Sequence, residues 1–127
     1  MKTLVLISRL LLGLMFLVFG LNGFLNFIPM PPPTGVAGQF FGALFISHYI
    51  LAVFALEIVA GVLLLANRFV PVALTILAPI LVNILLFHAS MAPAGFAPAV
   101  IAVALWSVLF ARERAAFSGL WAARGTA

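Results

Sequence analysis

The chain contains two acidic residues, and they sit in opposite settings. Glu113 stands among arginines in the stretch ARER. Glu57 stands inside AVFALEIVAGVLLLANRF, residues 52–69, where almost every neighbour is apolar. A carboxyl in such a run can hold or pass on a proton, bind the polar end of a ligand, or pair with a buried cation. The cation on offer is Arg9. Arg9, Gly13, Phe16, Gly20 and Gly23 recur at helical spacing and make one face, lined with small residues. Ile50, Phe54, Glu57, Gly61 and Leu64 make a second face by the same rule. The two faces are suited to meet. At 1.5 Å of rise per residue, Glu57 lies roughly 16 Å from the corner at Arg68 and Arg9 roughly 8 Å inside its own span. Long side chains can close that gap, so contact between them is expected, directly or through one water.

Two readings of Glu57 stand side by side. In one it is the floor of a small-molecule or proton site; in the other it is half of an ion pair that sets the register of two helices. The remaining polar residues extend the first reading outward. Asn83 falls in the outer half of its span, and Asn22 and His88 fall near the outer surface with His48 at a similar level. The candidate site is therefore Glu57, Arg9, Asn83, His88 and Asn22, with His48 and Gln39 as further polar points. Neutral imidazole can hydrogen-bond a quinone carbonyl, and paired histidines can hold haem b. A quinone or another small apolar ligand is a candidate for such a pocket, and no cofactor is fixed by these residues. Haem is not expected, because a histidine at this level is more often an amphipathic side chain among headgroups. No metal site is indicated.

These residues need elements to carry them, and composition says what those are. Of 127 residues, 67% are hydrophobic and 6% charged, and the mean hydropathy is +1.39. A soluble domain needs far more charge to cover its surface. The chain is an integral membrane protein whose first partner is the lipid bilayer. Its length allows one compact domain, residues 1–127. The absence of cysteine excludes disulfides, dithiol chemistry and cysteine-ligated clusters within the chain. The net charge of +4 reflects membrane topology and not nucleic-acid binding.

Breakers and charges predict four membrane helices over about 4–25, 47–66, 69–90 and 94–111, an all-α four-helix bundle. NFIPMPPPTG, residues 26–35, cannot continue a helix. ANRF, residues 66–69, reads as a tight polar corner, and SMAPAGF, residues 90–96, as a Pro/Gly turn. Residues 36–45 are apolar and too short to cross, which predicts an interfacial or re-entrant helix capping the outer end. Phe40 and Phe41 are expected to anchor it in lipid. Trp106 is expected to pack inside the bundle, and Pro79 to kink the third span and open the bundle beside Asn83.

Lys2 and Arg9, Arg68, and the group Arg112, Arg114 and Arg124 fall at one end of a four-span bundle. The loops at the other end carry no Lys or Arg. The positive-inside rule then places both termini in the cytoplasm, with the protein in the bacterial inner membrane.

RLLLGLMFLVFGLNGF, residues 9–24, resembles the first helix of the DoxX family, and LEIVAGVLLLANRFVPVAL, residues 56–74, resembles its second-helix signature. LAPILVNILLFH, residues 77–88, is similar to the third helix of one DoxX-like branch. The family's arginine and glutamate fall at Arg9 and Glu57. Many members carry a His-Gly and a later lysine in the first helix; here the positions hold Phe19-Gly20 and Asn22-Gly23-Phe24, so no role of that histidine or lysine carries over. The resemblance implies a four-helix membrane bundle and a redox-associated, quinone-linked function, more as a subunit beside an oxidoreductase than as an autonomous enzyme. A homodimer is a further expectation from the glycine faces. The competing function is a small proton-coupled transporter or channel in which Glu57 titrates.

Overall fold

The computed structural model describes residues 1–125 and is helical throughout its regular structure. Helix α1 spans Lys2–Leu25, α2 Gly35–Ile46, α3 Tyr49–Leu65, α4 Val70–Ser90 and α5 Phe96–Glu113. A short 3-10 turn, Pro93–Gly95, precedes α5, and a longer one, Arg114–Trp121, follows it. Helices α1 and α4, and α5 with its flanking turns, are each long and apolar enough to cross a membrane. Helices α2 and α3 meet the same test only when taken together across their bend of 85°, which makes α3 the fourth candidate span. The protein is thus a helical membrane bundle with the short helix between the first two spans. Its outward face is oily in the way a bilayer requires: Leu14, Val59, Val82 and Ile101 are among many large apolar side chains left exposed.

The helix ends follow from local chemistry. Asn26 ends α1 in the left-handed conformation at φ 52°, and its N–H donates to the Asn22 carbonyl. At ANRF, Asn67 adopts φ 54°. Its N–H donates to the Leu64 carbonyl, and the Arg68 N–H donates to that of Leu63. This is the Schellman pattern, for which asparagine is the usual substitute for glycine. His48, at φ 61°, makes the bend between α2 and α3.

The core is one apolar cluster. Leu12 and Phe16 of α1, Ala60 and Leu64 of α3, Leu74 and Leu77 of α4, and Ala102 and Leu109 of α5 are all buried in it. The tightest seam is between α1 and α3. A Cβ built on Gly61 would lie 2.7 Å from the Leu17 backbone nitrogen and 2.8 Å from the Gly13 carbonyl oxygen. One built on Gly20 would lie 2.9 Å from the Phe54 carbonyl oxygen. Here backbone meets backbone, as small residues allow in membrane helices.

The end of the bundle away from the basic residues is closed by aromatic rings. Phe41 of α2 meets Phe87 of α4 edge-on at 4.9 Å, and Phe45 of α2 approaches Phe54 of α3 at 6.2 Å. Phe54 in turn meets Phe24 of α1 at 6.3 Å. Phe40 stacks with Phe87 at 5.8 Å. Of the Phe40–Phe41 pair expected to anchor lipid, Phe41 packs on the bundle while Phe40 stays exposed, and the pair's contacts with Phe87 make α2 a cap. Sequence position alone could not separate the two, because an aromatic ring suits either setting.

The seam generates a test. Gly61→Ala adds a methyl that only backbone movement can accommodate, and overpacking of this kind costs about 1–3 kcal/mol. Gly42→Ala in α2 meets nothing within 4 Å and gains helix propensity. Thermal melts in detergent should therefore show a lowered midpoint for Gly61→Ala and an unchanged or raised one for Gly42→Ala.

Candidate functional site

Glu57 is the middle residue of α3, about 12 Å from either end of that helix at 1.5 Å per residue. It lies on the side of α3 that buries Ala60 and Leu64. Its exposure is 7%, which makes it one of three buried polar or charged residues, with Ser8 and Asn22. Among the described residues no group hydrogen-bonds its carboxyl and no cation pairs with it. Among the described residues, the one fully enclosed side-chain oxygen or nitrogen without a partner is Ser8 Oγ. The Glu57 oxygens are not fully enclosed.

The expected Arg9–Glu57 contact is not formed, and the seam shows why. Gly13 lies against Gly61 and Leu64, and Gly20 against Phe54 and Ile58, so the helices run antiparallel with Glu57 level with Leu17–Gly20. Arg9 falls two to three turns away, beside the end of α3. There its Nη1 donates to the Leu64 carbonyl and, at 3.2 Å, to the Leu65 carbonyl. These are helix-terminal carbonyls, the negative end of the α3 dipole, and a guanidinium beside them is well placed. The depth estimate erred because it measured each residue from its own loop. The first turns of α1 extend beyond the end of α3, which puts Arg9 at the rim.

The other polar residues are accounted for locally. The Asn22 Oδ1 accepts the Ile28 N–H at 2.7 Å, and its Nδ2 donates to the Ile28 carbonyl at 3.3 Å. That bracket holds the chain as it leaves α1. His88 Nδ1 lies 3.0 Å from the Ala92 carbonyl oxygen, and its ring packs on Gly95, where a Cβ would clash with it. Asn83 is exposed, and its Nδ2 donates to the Pro79 carbonyl at 2.8 Å within its own helix. Helix α4 continues through Pro79, and Asn83 itself faces outward from the bundle. A side-chain amide in lipid can satisfy itself on the carbonyl one turn back, and this one does. His48 and Gln39 are exposed at the end away from the basic residues. The structure thus brings none of these residues to Glu57, which stands alone.

Three features escaped the sequence. The Trp106 Nε1–H donates to the Leu74 carbonyl at 3.0 Å, tying α5 to α4. Beside it an apolar groove of about 160 Å³ runs between Ala78, Leu81 and Leu85 of α4 and Val103 of α5. Ser8 is wholly buried, one turn before Leu12 on the same face. That spacing was the available signal, but a serine near a basic residue at a helix start does not distinguish itself from a surface one.

The DoxX family model matches residues 4–90, more than half of the chain, and so covers α1 to α4 with Arg9, Glu57 and the seam between them. The chain belongs to the DoxX family. Comparison with curated proteins gave no match, and comparison with solved structures gave none. Within this DoxX-family bundle, the Arg9 and Glu57 that carried the resemblance are both on the α1–α3 seam yet do not touch. One is a helix cap, and the other is a lone carboxyl.

The separation is measurable. Arg9→Gln removes the charged donor at the α3 carbonyls and should cost about 1.5–3 kcal/mol. Glu57→Gln removes no partner of Arg9. Unfolding of both single variants and the double variant in detergent should give effects that add to within about 0.5 kcal/mol. A larger coupling energy would mean the two side chains interact after all.

Proposed function

We propose that this DoxX-family protein is a membrane subunit that holds the polar end of an apolar, quinone-class molecule at Glu57, in the service of a partner oxidoreductase. The observation that carries the reading is the buried Glu57 carboxyl without a hydrogen bond or an ion pair among the described residues. A carboxyl at the middle of a membrane helix is costly, about 2.5–3.5 kcal/mol for a charged side chain at that depth on the lenient scale. A group kept there without a structural partner is best explained by a ligand it meets. The chemistry suits a quinone and its quinol. A carboxylic acid donates to a quinone carbonyl, and a carboxylate accepts from a quinol hydroxyl.

The proton-coupled carrier is the competing reading, and the placement of the other polar residues tells against it. Arg9, Asn22, Asn83 and His88 are each bonded to nearby backbone. They do not line a polar path from Glu57 to either end. We place the basic end in the cytoplasm of a bacterial cell, by the positive-inside rule.

Glu57→Leu separates function from structure. It replaces an unpartnered carboxyl by an apolar side chain, which should leave the thermal midpoint in detergent unchanged or raise it. Titration with a short-chain ubiquinone analogue, followed calorimetrically, should show binding to the wild type and at least a tenfold loss in Glu57→Leu. Equal binding by the two proteins would refute the quinone reading, and a collapse of the midpoint would make Glu57 structural. Proton uptake into proteoliposomes that Glu57→Gln abolishes would select the carrier.

The orientation has its own test. A cysteine introduced at Thr34, in an otherwise cysteine-free chain, should react with an impermeant maleimide from outside spheroplasts. Reaction only after lysis would invert the topology.

A further inference from the structure

At the basic end of the bundle, the first turns of α1 and the last turns of α5 leave a cavity of about 470 Å³ between them. Val5, Leu6 and Val108 form its apolar wall, and Lys2, Arg112 and Arg114 line it with positive charge. Glu113, the one acidic residue in this stretch, is not part of the lining. All three cations are exposed, and among the described residues none of them makes an ion pair or a side-chain hydrogen bond. Their free donors therefore remain available to an anion.

The turn that follows α5 holds this arrangement in place. Phe117 is buried at 8% exposure, and its ring packs 5.0 Å from that of Phe110. Phe110 in turn stacks on Trp106 at 5.0 Å. The segment after Glu113 is thus clamped to the bundle, which keeps Arg114 at the rim of the cavity. Leu120 and Trp121, further along the same turn, stay exposed at 74% and 80%. They are the side chains an amphipathic segment sinks into a headgroup layer.

We infer that this cavity is a binding site for an anionic phospholipid, with the headgroup phosphate against Lys2, Arg112 and Arg114 and an acyl chain along the Val5–Leu6–Val108 wall. Three features select that occupant. Its charge complements a lining that holds cations and no carboxylate. Its dual character matches a pocket polar at the rim and apolar inside. Its position matches the level of the cavity, where the apolar spans of α1 and α5 give way to charge. Basic pockets between membrane helices hold anionic headgroups by this combination. The inference is independent of Glu57, which lies about 12 Å inside the bundle from the end of α3.

The test uses the full chain in a neutral detergent. Phosphatidylglycerol is titrated against phosphatidylcholine and against inorganic phosphate, with bound lipid counted by native mass spectrometry. Phosphatidylglycerol should bind and the other two should not. Arg112→Gln with Arg114→Gln should weaken binding roughly thirtyfold, since each basic side chain at a membrane surface contributes roughly fivefold. Arg112→Lys with Arg114→Lys keeps the charge and should bind nearly as the wild type, which separates loss of charge from loss of fold. Arg68→Gln removes a cation at the same end of the bundle but outside the cavity, and should leave binding unchanged. Equal binding of phosphatidylcholine, an equal loss in Arg68→Gln, or saturation by inorganic phosphate would each overturn the assignment.

Discussion

The contact between the backbones of α1 and α3 governs the rest of the molecule. Lipid chains are as apolar as leucine, so membrane helices gain nothing from hydrophobicity alone when they associate; they gain from close packing. Gly13, Gly20 and Gly61 permit an approach that any larger side chain would prevent. The approach also fixes register. Once Gly61 is seated against Gly13 and Leu17, the end of α3 must lie beside Arg9, and Glu57 must lie beside the middle of α1. The placement of the two charged residues is thus a consequence of three glycines.

A second constraint acts on every polar group in the spans. Water is not at hand, so each group needs a partner within the protein. The chain meets this demand locally and cheaply. Asn83 turns to the carbonyl one turn back, Asn22 brackets the chain six residues on, and His88 meets the Ala92 carbonyl at the end of its own helix. Arg9 and Trp106 reach across to a neighbouring helix but still take backbone carbonyls. No two polar side chains in these spans pair with each other among the described residues. Against that pattern Glu57 and the Ser8 hydroxyl are exceptions among the described residues. A carboxylate needs donors, and every backbone N–H around the middle of α3 is already used within the helix.

This also explains what could be read from the sequence and what could not. The spans, the re-entrant helix and the corner at Asn67 were legible, because hydropathy, proline and the left-handed preference of asparagine act within a few residues. The two glycine faces were legible as faces, since helical periodicity is local too. Their register was not. Sliding α1 against α3 by two turns preserves both faces but moves Arg9 from the level of Glu57 to the level of Leu64. Only the full set of seam contacts chooses between these, and small residues recur along both helices. The outward turn of Asn83 was illegible for a related reason: an amide that can satisfy itself carries no signal of which way it faces.

The same reasoning bears on why a family signature can unite two residues that do not touch. Arg9 anchors the end of α3 and so helps hold the register, while Glu57 occupies the level that the register defines. Loss of the arginine would loosen the α3 terminus and with it the depth at which the carboxyl is presented. Loss of the carboxyl would leave the seam intact, since Gly61 and Leu64 make their contacts without it. Dependence thus runs in one direction, from cap to seam to site. An ion pair would instead have made the two residues mutually dependent and left Glu57 with its charge already answered. By turning Arg9 toward the carbonyls, the fold leaves the central carboxyl without a partner among the described residues.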